Sequence, residues 1–178
     1  MININNNYKM DLNIQQHLPD NFSDESKVWV YQSSRLFQIS EALEMETMLQ
    51  QFVAGWKSHG APVKGFANIF FGRFIILMAD ETDTGVGGCS TDSSVHLIKE
   101  IEKRYHVDMF NRQMLSFIIK DKIEHLPMAQ VPYAIENNFI DENSLYFDNS
   151  ITTKKQLLTQ WITPAGNSWL KRMFVVKG

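Results

Sequence analysis

Two apolar runs, Phe66-Ala67-Asn68-Ile69-Phe70-Phe71 and Phe74-Ile75-Ile76-Leu77-Met78-Ala79, flank Gly72-Arg73 and constrain this chain more than any other feature. Their β-branched and aromatic content and their length are those of strands. Gly72 gives the backbone freedom that a tight hairpin needs. Neither run approaches the roughly 20 residues of a membrane-spanning helix. A hairpin this apolar needs a core around it. The 178 residues, 44% hydrophobic and 21% charged, can supply one in a single compact domain, with or without a small appendage. That composition excludes a disordered chain and a collagen-like repeat. The single cysteine excludes an internal disulfide, and no Cys/His spacing suits zinc. Residues 1–17, rich in Asn, lack the basic start and apolar block of a secretory signal, so a cytoplasmic protein is expected.

The remaining elements follow from periodicity. Val28–Tyr31 reads as a strand. Ser40 is a candidate N-cap for a helix whose face carries Leu43, Met45, Met48, Leu49, Phe52, Val53 and Trp56, stopped by Gly60 and Pro62. A second helix is expected from about Asp92 to Tyr105, with Val95, Ile98, Ile101 and Tyr105 inward. Met114–Ile119 is a further strand, and Lys120-Asp121 a turn into 122–125. The order strand, helix, strand, strand, helix, strand predicts an α+β fold with a ferredoxin-like, split βαβ core: an antiparallel sheet with both helices on one face. Three parts are expected: a flexible lead over 1–24, a core domain over 25–125, and a C-terminal appendage over 126–178 packed on the core. In the appendage, a short helix begins near Pro132 and 144–147 forms a strand. Thr152 or Thr153 caps a helix running to Trp161, and Thr163-Pro164 starts a last helix holding Trp169.

Charge is unevenly spread. The net charge is −3, yet no Asp or Glu follows Asp148, while Lys154, Lys155, Lys171, Arg172 and Lys177 do. The tail is thus +5 and the first 148 residues −8. Such a tail suits nucleic acid, an acidic protein partner, an anionic lipid surface or the acidic body of its own chain. Trp161 and Trp169, with Lys171 and Arg172, are its candidate partner-binding residues, because Trp and Arg dominate interface hot spots.

The chemistry-bearing candidates gather near Gly85-Val86-Gly87-Gly88-Cys89-Ser90-Thr91-Asp92. Gly87, Gly88 and Ser90 are candidate binding positions, because glycines before a helix present free N–H groups to a ligand. Asp92 would itself cap that helix. Cys89 is the candidate nucleophile, acidified by the helix start, with His96, or else His59, His106 or His125, as base. Asp80, Glu81, Asp83 and Asp92 are clustered carboxylates but match no EF-hand spacing, and no metal or other cofactor is expected. Gly-Lys-Ser/Thr, the mark of a phosphate-binding P-loop, occurs nowhere. A third pattern, Lys64–Phe71 with Trp29, is similar to an RNA-stacking sheet of Trp29, Phe66 and Phe70. Asn68 stands where a stacking aromatic is expected and the body is acidic, so nucleic acid is not the expected partner.

Several segments together resemble a known family. They are Leu18-Pro19-Asp20, 28–35 (VWVYQSSR), 88–96 (GCSTDSSVH), and Trp161 with Pro164-Ala165 and Ser168-Trp169. The chain resembles small uncharacterised bacterial proteins labelled "ABC transporter ATPase", over about residues 18–174. That family has no established catalytic or binding residues. The chain also lacks the P-loop lysine and the LSGGQ-type signature that the label requires. The reading that follows is a non-catalytic cytosolic binding domain, with a Cys89-dependent enzyme and a single-stranded RNA binder as alternatives.

Overall fold

The computed structural model describes residues 9–82 and 88–175, with the backbone alone at 88–90. Along the chain come β1 (Lys27–Gln32), α1 (Ile39–Gly55), β2 (Lys57–Ser58), β3 (Ala61–Pro62), β4 (Lys64–Phe70), β5 (Phe74–Asp80) and α2 (Gly88–Tyr105). Then follow β6 (Met114–Ile119), β7 (Lys122–Pro127), α3 (Val131–Glu136), β8 (Leu145–Phe147), α4 (Lys154–Thr159), β9 (Ile162–Pro164) and α5 (Lys171–Phe174). They fall into two compact units, each built from separated stretches of chain. The first holds His17–Arg112 and Asp148–Trp161. The second holds Gln113–Phe147 and the described parts of Met1–Gln16 and Ile162–Gly178.

In the first unit the expected hairpin is present. Phe70 pairs with Phe74 across a loop of Phe71, Gly72 and Arg73, in which Phe71 and Gly72 both have positive φ. The sheet order is β1-β5-β4, antiparallel throughout, so β1 and β4 run parallel on either side of β5. β5 is buried along its whole length because both of its faces are covered. Tyr31, Ile75 and Leu77 pack beneath Met45 and Leu49 of α1 and Leu97, Ile98 and Ile101 of α2. On the opposite face Phe74 meets Trp161 edge-on at 5.3 Å, and Trp161 also contacts Phe70 and Phe71. Trp56 lies against Val63 and Ala79, and a Cβ at Gly65 would meet its ring at 2.6 Å, so only glycine fits β4 there.

Five elements thus follow the split βαβ plan, but the sixth does not, and the ferredoxin-like order is not completed. β6 pairs with β7 and β8 in a separate four-stranded antiparallel sheet, β7-β6-β8-β9, in the second unit. The physical reason lies at the outer edge of β1, where a fourth strand would add. Val28 N donates to Thr152 O there at 2.9 Å, and Lys27 bridges Thr153. The expected 25–125 and 126–178 division gives way for the same reason, because 148–161 belongs to the first unit and β6 to the second.

Residues 17–24 of the expected flexible lead are held in place. Lys154, itself buried, donates from Nζ to Pro19 O and Phe22 O, both at 2.9 Å, and Lys64 Nζ donates to Asn21 O. The helix starts also differ from expectation. α1 begins at Ile39, where Gln38 N donates to Glu41 Oε2 at 2.7 Å, so Ser40 lies inside the helix and Leu43 faces solvent. α2 begins at Gly88, which puts Asp92 a full turn inside it rather than at its cap. Thr153 does cap α4, accepting from Gln156 N. Thr163 instead pairs with Tyr146, so Thr163-Pro164 ends strand β9 and starts no α-helix.

The second unit's sheet packs Leu115, Phe117 and Tyr146 against Val131 and Ala134 of α3 and against Leu170. Its β6–β7 hairpin turns through Lys120 and Asp121, both at positive φ, as a two-residue primed turn requires. None of the described helices is long and apolar enough to cross a membrane.

Candidate functional site

The helix layer of the first unit forms a concavity. α1 and α2 lie over one face of the sheet and leave an open groove of about 650 Å3 between them. From α1 come Met48, Gln51 and Phe52, three and four residues apart and so on one face. From α2 come Asp92, His96 and Glu100, stacked at successive turns, with Ser93 and Leu97 beside them. Met48, Phe52 and Leu97 make an apolar floor. Gln51, Ser93 and His96 add hydrogen-bonding groups, and Asp92 and Glu100 add carboxylates. A smaller concavity lined by Met48, Glu100, Lys103 and Arg104 shares two of these residues.

Buried residues and cross-helix bonds anchor both walls of this groove. Ile98 and Ile101 of α2 and Met45 and Leu49 of α1 are fully buried on the sheet. Arg104 ion-pairs with Glu44 across the two helices, and the Tyr105 hydroxyl donates to Glu44 Oε2 at 3.0 Å. Burial, then that carboxylate, pushes the Tyr105 phenol up. Arg35 forks onto both Glu41 oxygens at 2.8 and 2.9 Å and donates to Tyr105 O at 2.6 Å, tying the start of α1 to the end of α2. The Arg35 hydrogen bonds first, and then the Gln38 N–H, lower the Glu41 carboxyl to about 2.

Asp92 and His96 are therefore together at the groove, as one helix face dictates. Cys89 is in the first turn of α2, and its backbone position is seven residues from that of His96. That is two turns, or about 10.5 Å along the axis, rather than the single turn that makes side chains neighbours. Cys89 and His96 thus lie two turns apart along α2, and the Cys89 side chain is outside the described residues. Gly88 and Ser90 are also in that first turn, while Gly87 and Asp83 lie outside the described residues.

The other carboxylates do not gather with Asp92. Asp80 is buried at the end of β5. Its Oδ2 accepts from Lys64 Nζ at 2.8 Å and Ser23 N at 3.1 Å, and its Oδ1 from the Thr82 N–H and hydroxyl. Burial opposes its ionisation, yet these donors outweigh burial and hold the carboxyl well below the usual range. Glu81 pairs with Lys27 at 2.5 Å. Among the described residues no group of three His, Cys, Asp or Glu is placed to hold a metal ion.

The tail candidates separate. Trp161 is fully buried, with Nε1 donating to Asn149 Oδ1 at 3.0 Å, so it is core and not a partner anchor. A tryptophan beside basic residues reads the same in sequence whichever way it faces. Trp169 is half-buried in the second unit and donates to the Tyr146 hydroxyl at 3.2 Å, with the exposed Arg172 guanidinium over its ring at 5.4 Å. Lys171 is exposed. The aromatic platform is not assembled either. Trp29 is on the helix side of the sheet against Trp56, whereas Phe70 is buried on the other side against Trp161.

Sequence reasoning missed Met48, Gln51, Phe52, Ser93, Leu97 and Glu100 as a lining. The four-residue spacing of Asp92, His96 and Glu100 was the available signal. No family model, curated protein or solved structure matches the chain.

Proposed function

We propose that this chain is a non-catalytic binding domain that docks a partner segment in the α1/α2 groove. The groove itself carries the reading: an apolar floor, rimmed by hydrogen-bonding groups, on two helices anchored by fully buried residues. Such a floor accepts an apolar side chain, and the rim fixes its direction. Randomised peptides selected on the purified chain test this. Selected ligands protect amides of α1 and α2 from hydrogen exchange, and Gln51→Trp, which fills the groove from an exposed position, abolishes their binding. Ligands that protect other elements and ignore Gln51→Trp remove the reading.

A second reading is a cysteine-dependent enzyme. The placement of Cys89 in the first turn of α2 favours it, because the positive end of a helix dipole lowers a thiol pKa. The pH dependence of Cys89 alkylation decides. A midpoint well below the free-thiol value of about 8.5 supports an activated nucleophile, and one at or above that value eliminates it.

A further inference from the structure

The second unit presents a different surface. Tyr133 of α3 and Phe139 just beyond it are each 62% exposed, and their rings stack on one another at 6.4 Å. Their contact closes the end of α3. Asn138 is left-handed at φ 57°, Phe139 N donates to Ala134 O at 2.9 Å, and Asn138 N donates to Ile135 O at 3.1 Å. This is a Schellman cap, and an apolar contact often accompanies one. The cap explains why the rings touch. It does not explain why two large aromatics are left mostly in water.

Charge indicates what could cover them. Between Lys122 and Lys154 the sequence contains five carboxylates and no Lys or Arg. Glu136, one helical turn from Tyr133, is exposed, and so is Glu142. Asp141 is exposed too, but its Oδ1 is engaged by Asn143 N and Ser144 Oγ. The nearest basic helix, α5 with Lys171 and Arg172, contacts α3 and shares a core cluster with Val131 and Ala134. Val131 and Ala134 lie about 160° and 100° round the helix from Tyr133, so that contact is on a different face of α3.

We propose that the Tyr133–Phe139 ring pair, with Glu136, is a docking site for an arginine-bearing segment of a protein partner. A guanidinium stacks on an exposed aromatic face and pairs with a neighbouring carboxylate through one planar group. The cap fixes both rings beforehand, so little ordering is lost on binding. A second copy meeting this patch with its own across a two-fold axis would bring Glu136 onto Glu136, so an isologous dimer is disfavoured.

The test uses the full chain and fluorescence anisotropy with a labelled Arg/Ser peptide, beside its Glu/Ser counterpart. The Arg/Ser peptide binds and the Glu/Ser peptide does not. Tyr133→Ala and Phe139→Ala each weaken binding about tenfold or more, as expected for hot-spot aromatics. Tyr133→Phe restores it. Glu136→Lys, which leaves the cap intact, weakens binding as well, whereas Glu46→Lys on α1 changes it less than about threefold. Far-UV circular dichroism confirms that each variant is folded. Equal binding by the ring-less variants shows attraction to net charge alone and overturns the proposal. So does equal binding of the Glu/Ser peptide, or a dimer in sedimentation that Phe139→Ala dissolves.

Discussion

The two units cover their sheets differently. In the first, β5 is buried at all seven positions, because α1 and α2 cover one face and Trp161 with its neighbours the other. In the second, β7 alternates exposed and half-buried positions from Lys122 to His125, as expected of a strand with one wet side. A continuous apolar run therefore needs two covers, and here one comes from more than eighty residues downstream. An alternating run needs only one, and sequence neighbours supply it. The difference lies in how far along the chain each strand must look for its partners.

The largest effect expected from that contrast belongs to Trp161. Trp161→Ala should destabilise the first unit by about 3–5 kcal/mol in urea unfolding, because it empties a fully buried aromatic site. A loss near zero would show that the second cover is dispensable. Lys154→Ala comes next, at about 1–3 kcal/mol, since it leaves the Pro19 and Phe22 carbonyls without their donor. The finest test is pH. Glu41, at about 2, and Asp80 both have folded pKa values below their unfolded ones of 4.5 and 3.8. Their stabilisation is present above about pH 5 and is lost as pH falls toward 2. Glu41→Gln and Asp80→Asn should flatten that acid limb. Unchanged limbs would mean that neither network contributes.

What was legible in the sequence was local. The Gly72 hairpin, the Lys120-Asp121 turn, the Thr153 cap and most of the inward faces of both long helices, Leu43 excepted, follow from neighbours a few residues apart. What was illegible was pairing at a distance. Nothing within Met114–Ile119 says that it leaves the first sheet, because its claim on the β1 edge is settled by Thr152 and Thr153, more than thirty residues later. Of the groove lining, Asp92 and His96 were named from the sequence only for other roles, a helix cap and a base for Cys89. The opposing Met48, Gln51 and Phe52 were missed as a lining, because seeing a groove requires two helices at once.

The chain's passage from one unit to the other and back sets an order of events during synthesis. The hairpin and its two helices can emerge and collapse early, but the face of Phe74 stays bare until Trp161 has been translated. By then β6, β7 and β8 have already emerged. A ribosome halted between Asp148 and Trp161 would therefore hold a nascent chain with an open, sticky sheet, vulnerable to proteases and dependent on chaperones.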